Sequence, residues 1–126
     1  MNRSPRDDDR RLLAYRRGDR AELICLWHLR IKGYRILARR YRTPVGEVDL
    51  IARRGQVLAA IEVKARPDMA SAGEAVTPRQ RQRVARALLH FLSGRPDLAH
   101  LAPRFDVMLV TPRRWPRHLI DAWREE

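Results

Sequence analysis

Cysteine is almost absent from this chain: Cys25 is the only one, which excludes an internal disulfide and a cysteine-based zinc site. Cys25 falls in an apolar helical run and reads as a small core residue. Aromatic residues make up only 6% of the chain and are not interleaved with basic ones as in a base-stacking platform. No motif for reading base edges in a groove is present. No apolar run approaches the roughly 18 residues of a membrane-spanning helix. The opening, Met1-Asn2-Arg3-Ser4-Pro5-Arg6-Asp7-Asp8-Asp9, lacks the apolar segment of a signal peptide, so a cytoplasmic location is expected. There is no glycine-rich phosphate loop, which disfavours Walker-type nucleotide hydrolysis. His28, His90, His100 and His118 have no ligand spacing and read as structural or surface residues. Lysine is nearly as scarce as cysteine: of 27 basic residues only Lys32 and Lys64 are lysine.

What is present fits one domain with one core: 126 residues, 44% hydrophobic and 33% charged. Residues 1–15 read as a loose polar tail and 16–126 as the domain. Asp7-Asp8-Asp9 could chelate a cation, but a solvated charge run is the simpler reading. The net charge of +12 favours a polyanionic partner. Compositional drift toward arginine would also produce it. Against that bias, a lysine at position 64 suggests that a compact point charge is wanted there.

Residues 19–32 read as a helix capped by Asp19 and stopped by Gly33, with Leu23, Leu26, Trp27 and Ile31 as its apolar stripe. Glu22 lies one turn before Leu26, so its carboxylate can lean toward the body of the protein. Tyr34–Arg42, Glu47–Arg53 and Gln56–Lys64 read as three strands, the last two joined by an Arg54-Gly55 hairpin loop. A helix is expected over about 78–93, capped by Thr77, with Pro78 at its first position and Gly94 at its end. The preceding loop, 65–76, is expected to be mobile. Arg104–Val110 reads as a buried strand and Ile120–Trp123 as a short closing element. The order αβββαβ predicts an α/β fold, a mixed central sheet flanked by helices.

The chemistry concentrates in Gly46-Glu47-Val48-Asp49-Leu50-Ile51 and Glu62-Val63-Lys64. Strand positions two apart share a face. The hairpin therefore puts Glu47, Asp49, Glu62 and Lys64 on one face with Ile51, Leu58 and Ala60. Val48, Leu50, Ala52, Val57, Ala59, Ile61 and Val63 form the other. In the expected register Asp49 faces Ala60 and Glu47 faces Glu62, two like charges that would repel. Such a cluster is costly unless a cation or phosphate uses it.

These two segments resemble the motif of the PD-(D/E)XK nuclease superfamily, its proline-aspartate standing here as Val48-Asp49. With Lys32-Gly33-Tyr34, Ala65-Arg66, Ala75-Val76-Thr77, Arg104-Phe105-Asp106-Val107 and His118-Leu119, the chain more closely resembles the YraN-type uncharacterised bacterial family over residues 15–123. That family resembles archaeal Holliday-junction resolvases in fold, which implies a restriction-endonuclease-like αβββαβ core. The resemblance implies that Asp49 and Glu62 hold Mg²⁺ or Mn²⁺, with the Val63 carbonyl and Glu22 as further ligands. It also implies that Lys64 orients the attacking water or neutralises charge, and that Gln80 lies near the phosphate. Glu47 is an extra ligand or a neighbour.

Plainer readings stand beside these. Asp49, Glu62 and Lys64 can be a structural ion cluster. Glu22 can pair with arginine, Glu47 can merely end a strand, and Gln80 completes a capping box with Thr77. Asp106 reads as a salt-bridge partner of Arg104. Arg39, Arg40, Arg42, Arg53, Arg54 and Arg66 flank the cluster in sequence, while Arg79, Arg81, Arg83 and Arg86 lie on the following helix. Of these, Arg42, Arg53, Arg66, Arg79 and Arg83 are the candidates for tracking a nucleic-acid backbone. The expectation is a Mg²⁺- or Mn²⁺-dependent endonuclease-like protein hydrolysing DNA, with branched DNA as one substrate. A dimer would place two sites on paired strands. The alternative is a catalytically silent nucleic-acid-binding accessory protein.

Overall fold

The computed structural model describes residues 5–67 and 76–124, with side chains from residue 18 onward. Helix α1 spans Pro5–Ile31 and is followed by strands β1 (Arg35–Thr43), β2 (Gly46–Arg54) and β3 (Val57–Ala65). Helix α2 spans Pro78–Ser93, and β4 (Ala102–Val110) and β5 (Arg117–Trp123) complete the chain. The α1 helix thus begins well before the expected Asp19, through residues 5–15 that composition alone suggested were a tail. The Asp7-Asp8-Asp9 side chains, and most of the loop expected to be mobile, lie outside the described residues. No helix among the described residues is long and apolar enough to cross a membrane.

The five strands lie side by side in chain order. Only β3 and β4 run parallel, and α2 makes the crossover between them. The sheet is therefore mixed, as the element order predicts, with the closing element as a fifth strand. Its centre, β3, is covered on both faces. Leu58, Ala59, Ala60 and Ile61 are fully buried, which suits a continuous apolar run. Ile51, Leu58 and Ala60 pack under α2 with Val84, Ala87 and Leu88. Leu50, Ala52, Ala59 and Ile61 pack under α1 with Cys25 and Leu29.

Three sequence expectations are corrected. The β2–β3 hairpin turns at Gly55-Gln56, not Arg54-Gly55, so Arg54 pairs with Val57 and Ile51 with Ala60. Gly55 takes a left-handed φ of 59°, which a side chain would disfavour. The shift along β3 is two residues, and an even slip by itself does not move a side chain to the other face. It does remove the expected Glu47–Glu62 opposition. Val48 packs in the α2 cluster rather than beside Leu50 and Ala52. This happens where β1 kinks at Arg40, φ 48°, between two residues paired to β2. On α1, of the expected stripe only Leu26 is buried; Leu23, Trp27 and Ile31 are exposed, and Ala21, Glu22, Cys25 and Leu29 face the sheet instead.

Two local devices place α2. Thr77 and Gln80 form the full capping box, with Thr77 Oγ1 accepting from the Gln80 N–H at 3.2 Å and Gln80 Oε1 accepting from the Thr77 N–H at 3.0 Å. Gly46, at the start of β2, lies so close to α2 that a β-carbon there would sit inside the Arg83 backbone carbonyl. Only glycine allows that approach, and the approach carries Gln80 and Arg83 to the acidic end of the sheet. Gly46→Ala is therefore expected to lower stability by about 1–3 kcal/mol, the usual cost of overpacking. A urea titration would show it as a lower midpoint at constant slope. An unchanged midpoint would mean that α2 can shift freely.

Candidate functional site

Strands β2 and β3 part at the acidic cluster. Their pairing runs from the hairpin to Leu50–Ile61 and stops there. Beyond that point β2 stays with β1 as far as Gly46, and β3 stays with β4 as far as Ala65. The opening between them is bridged by carboxylates. Asp49 Oδ2 accepts from the Val63 N–H at 2.8 Å, and Glu62 Oε1 accepts from the Asp49 N–H at 3.3 Å. Lys64 Nζ lies 3.9 Å from Glu62 Oε2, with both side chains largely buried. Asp49, Glu62, Lys64, Gln80 and Arg83 line one cavity of about 240 Å³. Asp49 also lines a second, of about 230 Å³, with Glu22, Arg40 and Arg42.

The electrostatics of the cluster follow from burial. Burial, then the Asp49 charge, pushes the Glu62 carboxyl up to about 8, against the pull of Lys64. Burial also raises Asp49, although the Val63 N–H and Lys64 oppose it. Glu22 is buried and raised by the same desolvation. It leans inward, as its position on α1 suggests, and is held by Arg40 at 2.8 Å and Arg39 at 3.4 Å. Arg40 also contacts Asp19. Among the described residues no three His, Cys, Asp or Glu side chains are grouped so as to hold a metal ion. The donor set is nonetheless the hard oxygen type that Mg²⁺ and Mn²⁺ take, and its two central carboxylates are short of positive charge. A divalent cation fits that chemistry.

The other candidates divide by position. Glu47 stays at the rim, with 57% of its side chain exposed, and pairs with Arg42 at 3.8 Å. Arg79 is exposed on the first turn of α2, on the same helix as Arg83. Arg66 follows β3 directly, and its N–H donates to the Val110 carbonyl. Arg53 is not brought to the site. It lies toward the hairpin end, about 13 Å along the strand from Asp49, and its Nε donates to the Gly55 carbonyl. Proximity in sequence misleads there because an extended strand carries its residues apart quickly.

Asp106 belongs to a separate network on the α1 side. Fully buried, it accepts two bonds from Arg104, at 2.9 and 2.7 Å, as its place on β4 suggests. His118 Nε2 lies 2.8 Å away and the Asp121 N–H donates at 2.9 Å. Lys32 Nζ stands 2.7 Å from His118 Nδ1. An ammonium can only donate, so Nδ1 accepts and Nε2 carries the proton given to Asp106. Burial alone would raise Asp106, but the His118, Arg104 and Asp121 bonds outweigh it and hold it below its ordinary value. The His118 and Lys32 parts of this network left no spacing signal in the sequence.

A mixed five-stranded sheet flanked by helices, with two of its strands parting at an acid–acid–lysine cluster, defines a restriction-endonuclease-like fold. The chain belongs to the family described as Uncharacterised protein family UPF0102, whose profile matches residues 21–110. A UPF0102 protein of Parvibaculum lavamentivorans is 57% identical over 113 residues, covering 90% of this chain and 85% of that protein. One from Rhodopseudomonas palustris is 48% identical over 122 residues, covering 97% and 94%. Among solved structures, Archaeoglobus fulgidus Hjc, a Holliday junction resolvase from an archaeal hyperthermophile, aligns with a TM-score of 0.50. That alignment covers 81% of this chain and 79% of Hjc at 22% identity, a likeness of fold.

A carboxyl raised in the folded chain binds its proton more tightly there than when unfolded. The Glu62 contribution is thus fully present below about 4.5 and is lost as pH rises toward about 8. Asp49 shifts in the same direction. Metal-free protein should therefore lose stability between pH 5 and 8, and Mg²⁺ or Mn²⁺ should restore more at pH 8 than at pH 5. Asp106 acts oppositely, and only as pH falls below the ordinary carboxylate range. Denaturant titrations at both pH values check this. Glu62→Gln should flatten the slope, and an unchanged slope would place its source elsewhere.

Proposed function

We propose that this protein is a metal-dependent nuclease that hydrolyses phosphodiester bonds in DNA, with branched DNA as a substrate. The observation that carries the reading is the Asp49–Glu62 pair: a buried Glu62 raised by desolvation and by the Asp49 charge, and a half-buried Asp49 raised chiefly by desolvation, with one lysine beside them. Polar clusters of this kind add little stability, so a structural role alone explains them poorly. The two carboxylates, with the Val63 carbonyl, would hold Mg²⁺ or Mn²⁺. Such an ion supplies Lewis-acid polarisation of a phosphoryl oxygen and lowers the pKa of a bound water.

The chain's own residues have distinct tasks in this reading. Lys64 keeps a compact positive charge next to Glu62, where it orients the attacking water and balances charge developing on the phosphate. Gln80 lines the same cavity, but its Oε1 is committed to the Thr77 cap, so only its amide nitrogen is offered to a phosphate. Arg83 lines that cavity too, and with Arg42, Arg66 and Arg79 it would follow the DNA backbone. Glu22 can join the metal only by exchanging its arginine partners. This role carries with it a cytoplasmic location, and a homodimer would present two such sites to a junction.

A second reading is a nucleic-acid-binding accessory protein without turnover. The observation favouring it is that Glu22 is already satisfied by Arg39 and Arg40. The deciding experiment is cleavage of labelled single-stranded, duplex and four-way-junction DNA with Mg²⁺ or Mn²⁺. Wild type should cut and Asp49→Ala should not. Lys64→Ala should lose roughly 10²–10³-fold in rate, the usual loss for one transition-state donor. Equal cutting by wild type and Asp49→Ala would remove the site assignment. Salt-sensitive binding without cutting would establish the accessory role.

A further inference from the structure

Beside the carboxylate cluster lies a larger groove, about 870 Å³, between α1 and the loop joining β4 to β5. Ala21 and Ala65 line both this groove and the Glu22–Asp49 cavity, so the two adjoin. The groove's outer wall is the segment Thr111-Pro112-Arg113-Arg114-Trp115-Pro116. Trp115 is 81% exposed, an unusual position for the largest apolar side chain. Two prolines bracket it and limit the loop's freedom. Arg113, in the turn, holds a left-handed φ of 62°, a conformation uncommon for a residue with a side chain. Arg113 and Arg114 are exposed, and Arg66 lines the groove from the end of β3.

We propose that this groove binds an unpaired stretch of nucleic acid running away from the carboxylate cluster. One base stacks on Trp115, and the phosphates on either side meet Arg66, Arg113 and Arg114. An aromatic platform set among cations is how single strands are held without reading their sequence. The interior of a duplex cannot use the platform, because its bases already stack on one another. Charge complementarity selects this occupant over a second copy of the chain: the groove's Arg66, Arg113 and Arg114 would face their own kind across a symmetric contact. The inference rests on the nuclease reading above and adds to it the substrate class. The DNA would carry a single-stranded segment next to the phosphate at Asp49 and Glu62.

The test uses the full chain with fluorescently labelled oligo(dT) and a blunt hairpin duplex, followed by anisotropy and by tryptophan emission. Binding of oligo(dT) should quench emission in wild type and in Trp27→Phe. The quench should largely vanish in Trp115→Phe while anisotropy still reports binding. Trp115→Ala should weaken oligo(dT) binding about tenfold and leave duplex binding within twofold. Arg113→Ala with Arg114→Ala should weaken it further and reduce its salt dependence. If oligo(dT) binds equally well to wild type and Trp115→Ala, the groove assignment fails while the nuclease reading stands. If neither DNA binds to wild type, both fail. Circular dichroism of each variant checks folding, and an exposed side chain is not expected to disturb it.

Discussion

The parting of β2 from β3 is the constraint on which the rest of this structure turns. A backbone N–H leaving a ladder must find another acceptor or lose free energy. Here the Asp49 and Val63 N–H groups find carboxylate oxygens, those of Glu62 and Asp49. The acids therefore close the ladder that their own bulk and charge would otherwise break. Because each is fixed by the other strand's backbone, their relative position does not depend on flexible side-chain torsions alone. The opening is also what makes room for α2 at Gly46 and for Glu22 from α1, so both helices converge on one end of the sheet.

The opposite demand, rigidity, is met on the α1 side. Asp106 fills its acceptor capacity with Arg104, His118 and the Asp121 N–H, and Arg104 also reaches the Tyr34 hydroxyl. This joins β4, β5 and the start of β1 through charges that are fully paired, the condition under which a buried polar network holds a unique arrangement. The two acidic centres therefore differ in kind. Asp106 is held below its ordinary pKa by its donors despite burial, whereas burial raises Asp49 and Glu62 above theirs against the single backbone N–H that each accepts and against Lys64. An acid lowered by its partners reads as architecture, and a pair raised by burial as a place for a ligand.

Much of this was legible in the residues. Strand faces were, because alternation survives a slip of two, and so was the α2 helix, whose Thr77, Pro78 and Gly94 mark both ends. The hairpin register was not, since Arg-Gly and Gly-Gln are both weak turn signals and the faces cannot choose between them. The α1 stripe was misread because the helix buries small and polar groups, Ala21, Glu22 and Cys25, and leaves Trp27 and Ile31 outside. Hydrophobicity ranks those residues the wrong way round, because the face toward the sheet mixes Leu26 and Leu29 with small and polar groups. Trp115 could have been noticed from Arg113-Arg114-Trp115 between prolines, but a loop residue carries no periodicity to weigh.

A chain with a net charge of +12 might be expected to smother its few buried acids, yet those of the cluster are under-compensated. Geometry explains this. Arginine's guanidinium is broad and planar, and it stays at the rim: Arg42 with the exposed Glu47, Arg39 and Arg40 on the outer side of Glu22. Lys64 is compact enough to sit largely buried beside Glu62. Ionising both carboxyls would set two negative charges against one lysine, and the rise of Glu62 to about 8 is how the metal-free chain avoids that, while the surrounding surface is in large positive excess. A polyanion drawn by the rim meets an interior that rejects anions unless a cation comes with it. The same distribution thus attracts a nucleic-acid backbone and makes a divalent ion a condition for bringing its phosphate inward.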